Sequence, residues 1–436
     1  VEPINGFSKL SKIEKLNVLV DRYLAGNQGA KNRMLGFWHA DEKEQKVFDE
    51  FSENTLTNFY FPYGVAPNVL INNELYCVPM VIEESSVVAA ASKAAKYWYE
   101  RGGFKTTVLG TEKLGQVHMI WKGSAGDIQN LFEQVKPALI EAVGPLMTNM
   151  QSRGGGLTDL KLVDRSSDEE GLWQIWASFE TCDAMGANFI NSVLEAIGRE
   201  FEQHAHNVYG ADSLFVVMAI LSNYTPNCLV RAEVSCAISE LAEHDLGMSA
   251  ERFAEKFSRA VRIAKIDVQR ATTHNKGIMN GVDAVVLATG NDFRAVEACA
   301  HTYASRNGRY ESLSNCEIAN GQFRFWLDIP MALGTVGGLT ALHPMAKTSL
   351  DLLGRPSASR LMEISAAIGL AQNFGALRSL VTSGIQRGHM KMHLMNILNH
   401  LEATEEERNL ARDHFTSEAI SFKAVRDFVA TLRNYQ

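Results

Sequence analysis

Between Thr106 and Asn223 the spacing of apolar residues switches repeatedly between two and about 3.6, and no other stretch restricts the fold as tightly. Gln116–Trp121 alternates as a half-buried strand should. Asp127–Met150 then carries helical spacing, disturbed by Pro137 and Pro145. After Gly154-Gly155-Gly156, Asp159–Asp164 alternates again. A polar turn, Arg165–Gly171, leads to Leu172–Glu180, in which Trp173, Ile175, Ala177 and Phe179 share one face. Ala184–His204 is a long helical pattern, and Ser213–Leu221 is an apolar run of strand length. The order is β-α-β-β-α-β, the ferredoxin-like plait.

Helix-rich segments lie on both sides of this block. Ser85–Glu100, closed by Gly102-Gly103, is rich in alanine and suits close helix packing. Ser249–Arg270 reads as a second long helix, Gly281–Ala288 (GVDAVVLA) as a buried strand, and Asp292 as the start of another helix. Behind the loop Ser383–Gly388, two helical patterns follow, His389–His400 and Thr404–Asn434. Thr404 ahead of Glu405-Glu406-Glu407 makes a capped start. The expected fold class is α+β: a large helix-rich α+β domain, an inserted ferredoxin-like (βαββαβ) domain and a small C-terminal helical flap. The large domain takes residues 1–108 and 222–382, the plait 109–221 and the flap 383–436. A chain of 436 residues accommodates that number of units.

Composition narrows the function classes. Fifty acidic against 42 basic side chains leave a net charge of −8, with no basic block, which disfavours a nucleic-acid or anionic-membrane binder. No apolar run approaches the roughly 18 residues of a spanning helix. Val1–Leu10 lacks the apolar stretch of a signal peptide, so a cytoplasmic protein is expected. The six cysteines form no CxxC pair, and reduced thiols are expected.

Five segments could carry chemistry. Glu83-Glu84 precedes Ser85-Ser86 and a helix, where acids and serines serve as ordinary helix-start residues. A carboxyl group held there can also act as a general acid. Thr272–Gly281 (TTHNKGIMNG) reads as a loop that holds Lys276, either a solvated charge or a group that stabilises an oxyanion. Asp292, after Gly290-Asn291, is a helix cap or a functional carboxylate. Asp183–Asn188 (DAMGAN) sits where a strand becomes a helix, a place that binds phosphate when the free N–H groups are open. His389 and His393 are spaced i, i+4, with His400 beyond them. That spacing can bind zinc, although no HExxH glutamate is present; a proton donor on a mobile element is the other reading.

Taken in order, these segments resemble a known family. They are ENTLTNFYFPYGVAPN (Glu53–Asn68), VPMVIEESSVVAAAS (Val78–Ser92), DAMGAN, THNKGIMNGVDAVVLATGND (Thr273–Asp292), GTVGG (Gly334–Gly338), GLAQNFGALRSLV (Gly369–Val381) and GIQRGHM (Gly384–Met390). The chain is similar to soluble, class II 3-hydroxy-3-methylglutaryl-coenzyme A (HMG-CoA) reductase over essentially its whole length.

The resemblance implies reduction of HMG-CoA to mevalonate and free coenzyme A by two hydride transfers from NADPH or NADH. The family's catalytic residues fall on Glu84, Lys276, Asp292 and His389, with Glu83 the alternative to Glu84. Lys276 would donate to the thioester oxygen, Asp292 would hold and tune Lys276, Glu84 would supply protons, and His389 would protonate the departing thiolate. Substrate contacts fall on Ser86, Arg270, Asn280 and Asn373. Cofactor contacts fall on Asp183, Ala184, Met185, Gly186, Asn188 and Asn223, in the plait. Asn149 and Arg153, with no acid between them, favour NADPH. The resemblance further implies a homodimer or an assembly of dimers, with the active site at the dimer interface and no metal. Ser85 stands where many relatives have proline, and FYFPYG is more aromatic than the family pattern, which leaves the coenzyme A contacts open. The competing readings are a catabolic enzyme oxidising mevalonate with NAD, a metal-dependent hydrolase on His389, His393 and His400, and a non-catalytic coenzyme A-binding regulator.

Overall fold

The computed structural model describes residues 3–241, 247–382, 394–416 and 418–434. The N-terminal part carries helices α1 (Lys12–Tyr23), α2 (Gln28–Gly36) and α3 (Glu42–Asp49), followed by a hairpin of β1 (Tyr63–Ile71) and β2 (Glu74–Val81). Helix α4 (Val87–Tyr99) and strand β3 (Lys105–Val108) complete this part.

The next block runs β4 (Lys113–Trp121), α5 (Ala125–Ala142), α6 (Gly144–Gln151), β5 (Gly156–Asp164), β6 (Leu172–Glu180), α7 (Ala187–Tyr209) and β7 (Leu214–Ser222). Its antiparallel sheet has the order β5-β6-β4-β7, so the first and third strands lie side by side as a plait requires. Val117, Met119 and Trp121 of β4 and Trp173, Ile175, Ala177 and Phe179 of β6 face the apolar stripes of α5 and α7 in one core. Pro137 sits inside α5 without ending it, and Pro145 lies in the first turn of α6, where its missing N–H costs nothing. The expected single helix is thus two.

A second four-stranded antiparallel sheet has the order β3-β8-β10-β9, with β8 (Leu229–Ala237), β9 (Ser314–Ala319) and β10 (Gln322–Pro330). Around it pack α8 (Ala250–Ile266), α9 (Val268–Ala288), α10 (Phe293–Ala304) and, after the short α11 (Gly338–Leu342) and α12 (Pro344–Leu352), the 24-residue α13 (Ala358–Val381). Residues 394–400 are helical (α14) and pack with α15 (Glu405–His414) and α16 (Phe422–Asn434) around Leu398, Ala411 and Val425, a third small core. Among the described residues no helix is long and apolar enough to cross a membrane.

Three sequence expectations are corrected. Gly281–Ala288 is the last part of α9, not a strand, and Lys276 lies mid-helix, not in a loop. The second half of α9 is largely buried, so its run of valines lacks the polar stripe that marks a helix, and a short apolar run reads equally as a buried strand. Close contact with α13 requires glycine on both sides. A Cβ at Gly281 would lie 2.8 Å from the Ile368 carbonyl oxygen, and one at Gly369 would lie 2.7 Å from Val282. Ser249–Arg270 is also not one helix. Asp267 leaves helical geometry and caps α9 by accepting from the N–H groups of Gln269 and Arg270. Finally, Thr404 forms the expected capping box with Glu407, but the pattern it opens breaks into α15 and α16.

Candidate active site

Helix α9 turns Lys276 outward and locks its neighbours His274 and Asn275. Asn275 donates to the Glu311 carbonyl (2.9 Å) and accepts from the Leu313 N–H (3.0 Å). His274 Nε2 lies 2.6 Å from Ser314 Oγ. That hydroxyl gives its hydrogen to Asn373 Oδ1 (2.8 Å), so it accepts from His274 and fixes the Nε2–H tautomer. Nδ1 is buried and has no partner among the described residues. Burial first, then the positive charges of Arg270 and Lys265, push the His274 pKa down to about 3, so the ring is neutral. Asn373, expected at the substrate, is 1% exposed and belongs to this network under the helix.

Lys276, by contrast, has a side chain 59% exposed, and its Nζ donates to Glu84 Oε2 at 2.5 Å. Of the two adjacent acids, Glu84 is therefore the one that meets the lysine. Its turn follows β2 and ends at Ser86, which adopts φ 76°, a left-handed conformation uncommon for a residue with a side chain. The Ser86 hydroxyl makes no capping bond to α4, so it does not serve as the helix cap its position suggests. Backbone strain of this kind concentrates where a side chain must be aimed. Asn280, one turn beyond Lys276, is half-buried. Arg270, in the first turn of α9, is also half-buried, and among the described residues its guanidinium has no ion pair or hydrogen bond. Burial pulls its pKa down, with Asp267 opposing. A desolvated, unpaired guanidinium is a strong site for a carboxylate.

Asp292 lies elsewhere. Lys276 and Ala288 are twelve residues apart in α9, about 18 Å along the axis at about 1.5 Å per residue. Within one chain, Asp292 therefore does not reach Lys276. It caps α10 through the N–H groups of Arg294 and Ala295 and pairs with the Arg294 guanidinium. Burial alone would raise its pKa, but the Arg294 bonds and the Ala295 N–H outweigh it and hold it below the usual range.

What Asp292 does adjoin is the DAMGAN turn. Asn291 Oδ1 accepts from the Gly334 N–H (2.8 Å), and a Cβ on Gly334 would come within 2.6 Å of Met185 N. The Asp183 carbonyl accepts from Thr335 (2.8 Å), while its carboxylate accepts from the Ala358 N–H at the start of α13 (2.7 Å). The Ala184 carbonyl accepts from the Thr181 hydroxyl at 2.6 Å. Gly186 has φ 85°, and a Cβ there would lie 2.5 Å from Thr181 Cγ2, so both conformation and space demand glycine. It precedes the 23-residue α7 and offers no capping side chain, and Asn188 is exposed in the first turn. The free N–H groups there suit a diphosphate. Arg153 adjoins the same turn, its carbonyl accepting from the Cys182 thiol at 3.2 Å.

Met185 and Asn223 line a small cavity with one residue that the sequence analysis missed, Lys113. A signal existed. Lys113 has the same parity in β4 as the buried Val117, Met119 and Trp121, so alternation points it inward.

The catalytic expectation for His389, and the zinc reading's His393, lie outside the described residues. His400 packs edge-on against Phe422. Among the described residues no group of three metal-ligating side chains occurs.

The sequence matches the family described as hydroxymethylglutaryl-coenzyme A reductase over residues 20–394. The 3-hydroxy-3-methylglutaryl-coenzyme A reductase of Archaeoglobus fulgidus is 37% identical over 410 residues, 93% of this chain and 88% of the relative. A probable reductase of the same name from Borreliella burgdorferi is 32% identical over 413 residues, 95% of this chain and 92% of the relative. A solved reductase from Streptococcus pneumoniae gives a TM-score of 0.72 at 34% identity, covering 99% of this chain and 100% of that one. A class II reductase structure from the same organism, bound to NADPH in open conformations, gives 0.71 at 36% identity, covering 87% and 100%. With the motifs in order and the match running through all three cores, the chain belongs to the hydroxymethylglutaryl-coenzyme A reductase family.

Proposed function

We propose that Glu84, Lys276, Asp292 and His389 carry the reaction of this NAD(P)H-dependent oxidoreductase, the reduction of HMG-CoA to mevalonate and coenzyme A in the isoprenoid direction. The observation that carries this reading is the Lys276–Glu84 contact: a lysine hydrogen-bonded to an acid, on the helix that also carries Arg270, which has no ion pair among the described residues.

Arg270 binds the free carboxylate of the substrate, and Ser86 and Asn280 orient its hydroxyl and carbonyl groups. Bound reduced nicotinamide supplies two hydrides in succession. Lys276 stabilises the negative charge on the thioester oxygen at the first reduction, giving the hemithioacetal mevaldyl-CoA. Its collapse to mevaldehyde expels coenzyme A thiolate, which His389 protonates. At the second reduction Glu84, through Lys276, delivers the proton to the alkoxide. The balance is two hydrides and two protons per thioester.

The plait takes the cofactor, the large domain the acyl-coenzyme A and the C-terminal unit the histidine. The uncapped start of α7 and the confined turn before it fit a dinucleotide diphosphate. The distance between the Lys276 half and the Asp292 half supports a homodimer in which one subunit supplies Glu84, Lys276 and Arg270, and the other Asp292 and the cofactor turn. All six cysteines are free thiols, in keeping with the reducing cytoplasm.

The test is an absorbance assay of reduced-nicotinamide oxidation with HMG-CoA and each of NADH and NADPH. Turnover with at least one is expected; folded protein that oxidises neither defeats the reading.

A further inference from the structure

Lys113 is only 4% exposed, and its ammonium makes one long hydrogen bond, 3.4 Å to the Thr111 carbonyl oxygen. Among the described residues no carboxylate lies within ion-pair distance of it. Glu180, next along the paired strand, is already engaged: it accepts from the Thr111 hydroxyl and from the Cys182 N–H (2.7 Å). A buried ammonium with unfilled donors is costly unless something accepts from it.

The acceptor is indicated by the cavity Lys113 lines, at the junction of the two larger cores. Met185, Ser222, Asn223 and Thr225 are there, and Ala295 enters from the helix that Asp292 caps. The space, about 20 Å³, holds about one water molecule. The Ser222 hydroxyl already donates to the Tyr224 carbonyl (3.0 Å), and the Thr225 hydroxyl faces the Cys299 sulfur (3.7 Å). The donors left for a guest are Lys113 and Asn223.

We propose that Lys113 is a cofactor-binding residue that donates to the carboxamide oxygen of the nicotinamide. The inference rests on the reading of the DAMGAN turn as the cofactor site. Size selects the carboxamide over the diphosphate, since a single carbonyl oxygen enters a space of one water molecule and two tetrahedral phosphates do not. The diphosphate has its own donors at the start of α7. With the carboxamide anchored at Lys113, the ring lies over the cavity mouth between Met185 and Ala295, one helical turn from Asp292. Methionine sulfur suits contact with such a ring.

The experiment measures dissociation constants of NADH and NADPH by nicotinamide fluorescence, and of ADP-ribose by competition, for wild type, Lys113→Met and Lys113→Gln. Losing a charge-assisted hydrogen bond should weaken both reduced cofactors about tenfold or more in Lys113→Met. ADP-ribose, which has the diphosphate but no nicotinamide, should bind unchanged. Lys113→Gln, which keeps a donor, should recover part of the loss and also serves if the methionine variant does not fold. Methionine replaces an under-bonded charge, so the melting temperature should hold or rise. Equal weakening of ADP-ribose would move the contact to the diphosphate and overturn the assignment, as would unchanged affinity for all three ligands. Wild type that binds neither reduced cofactor would instead overturn the cofactor site itself.

Discussion

The Lys276 ammonium donates to the Glu84 carboxylate at 2.5 Å, tying the middle of a central helix to the strained turn after β2. Both side chains reach solvent, so the pair contributes little to folding. Lys276→Ala should therefore leave the melting temperature nearly unchanged while lowering kcat by a factor of roughly 10²–10³, the usual cost of a lost oxyanion donor. Glu84→Gln keeps the lysine but removes the proton source, so it should depress reduction of mevaldehyde as well as of HMG-CoA. His389→Gln should hurt HMG-CoA reduction more than mevaldehyde reduction, and equal losses on both would remove thiolate protonation from its role.

About 18 Å of helix separates Lys276 from the residues leading to Asp292. If each site draws on two subunits, Lys276→Ala and Asp292→Ala are inactive alone but complement each other. Refolding or co-expressing the two should restore about a quarter of wild-type specific activity, since a hybrid dimer holds one intact site. A mixture that stays inactive, with hybrid dimers demonstrated, would place all four groups in one chain.

The plait was legible because each of its strands has one wet and one dry face, so alternation survives in the sequence, as in Leu172–Glu180. The second half of helix α9 was not, because burial there erases the polar stripe; Val282, Val285 and Val286 are all fully buried. Glu84 and Lys276, singled out by motif order, meet in the structure, and the DAMGAN turn leads into the uncapped start of α7. The separation of Lys276 from Asp292 was not legible, because helix length, not residue identity, sets that distance. Lys113 was overlooked for a different reason: one charged residue at an inward position looks like a strand end.

Acid stability should carry a signature of His274. Its folded pKa is pushed down to about 3 by burial, against about 6.5 for an unfolded histidine. Between those values the unfolded chain binds a proton that the folded chain does not, so stability falls as pH drops. The slope is about 1.4 kcal/mol per pH unit, and the contribution is fully retained above the unfolded value. His274→Gln should flatten the urea-unfolding profile between pH 6 and pH 4 by about that slope, read against wild type. An unchanged slope would mean the ring is hydrated or already charged in the fold.

Gly186→Ala should separate the two substrates kinetically. The left-handed backbone costs an alanine roughly 1–2 kcal/mol, and the contact with Thr181 adds to it. The turn must shift, and the start of α7 shifts with it. The Michaelis constant for the reduced cofactor should rise at least several-fold, while that for HMG-CoA, proposed to bind at Arg270 and Lys276 on α9, stays within about twofold. A rise confined to HMG-CoA would contradict the placement of the cofactor at this turn.

Arg153 sits at the edge of the DAMGAN turn. Its carbonyl accepts from the Cys182 thiol, so an exposed side chain starts beside the DAMGAN turn, after the Asn149 position and with no acid between. A guanidinium matches a phosphate and gains little from a hydroxyl. Arg153→Ala should weaken NADPH by about tenfold and leave NADH nearly unchanged, in line with one charge-assisted contact to the adenosine 2′-phosphate. The paired measurement matters, because a general disturbance of the turn would weaken both cofactors alike. Equal losses would assign Arg153 to the turn's architecture, and an unchanged NADPH constant would leave the 2′ position to be read elsewhere.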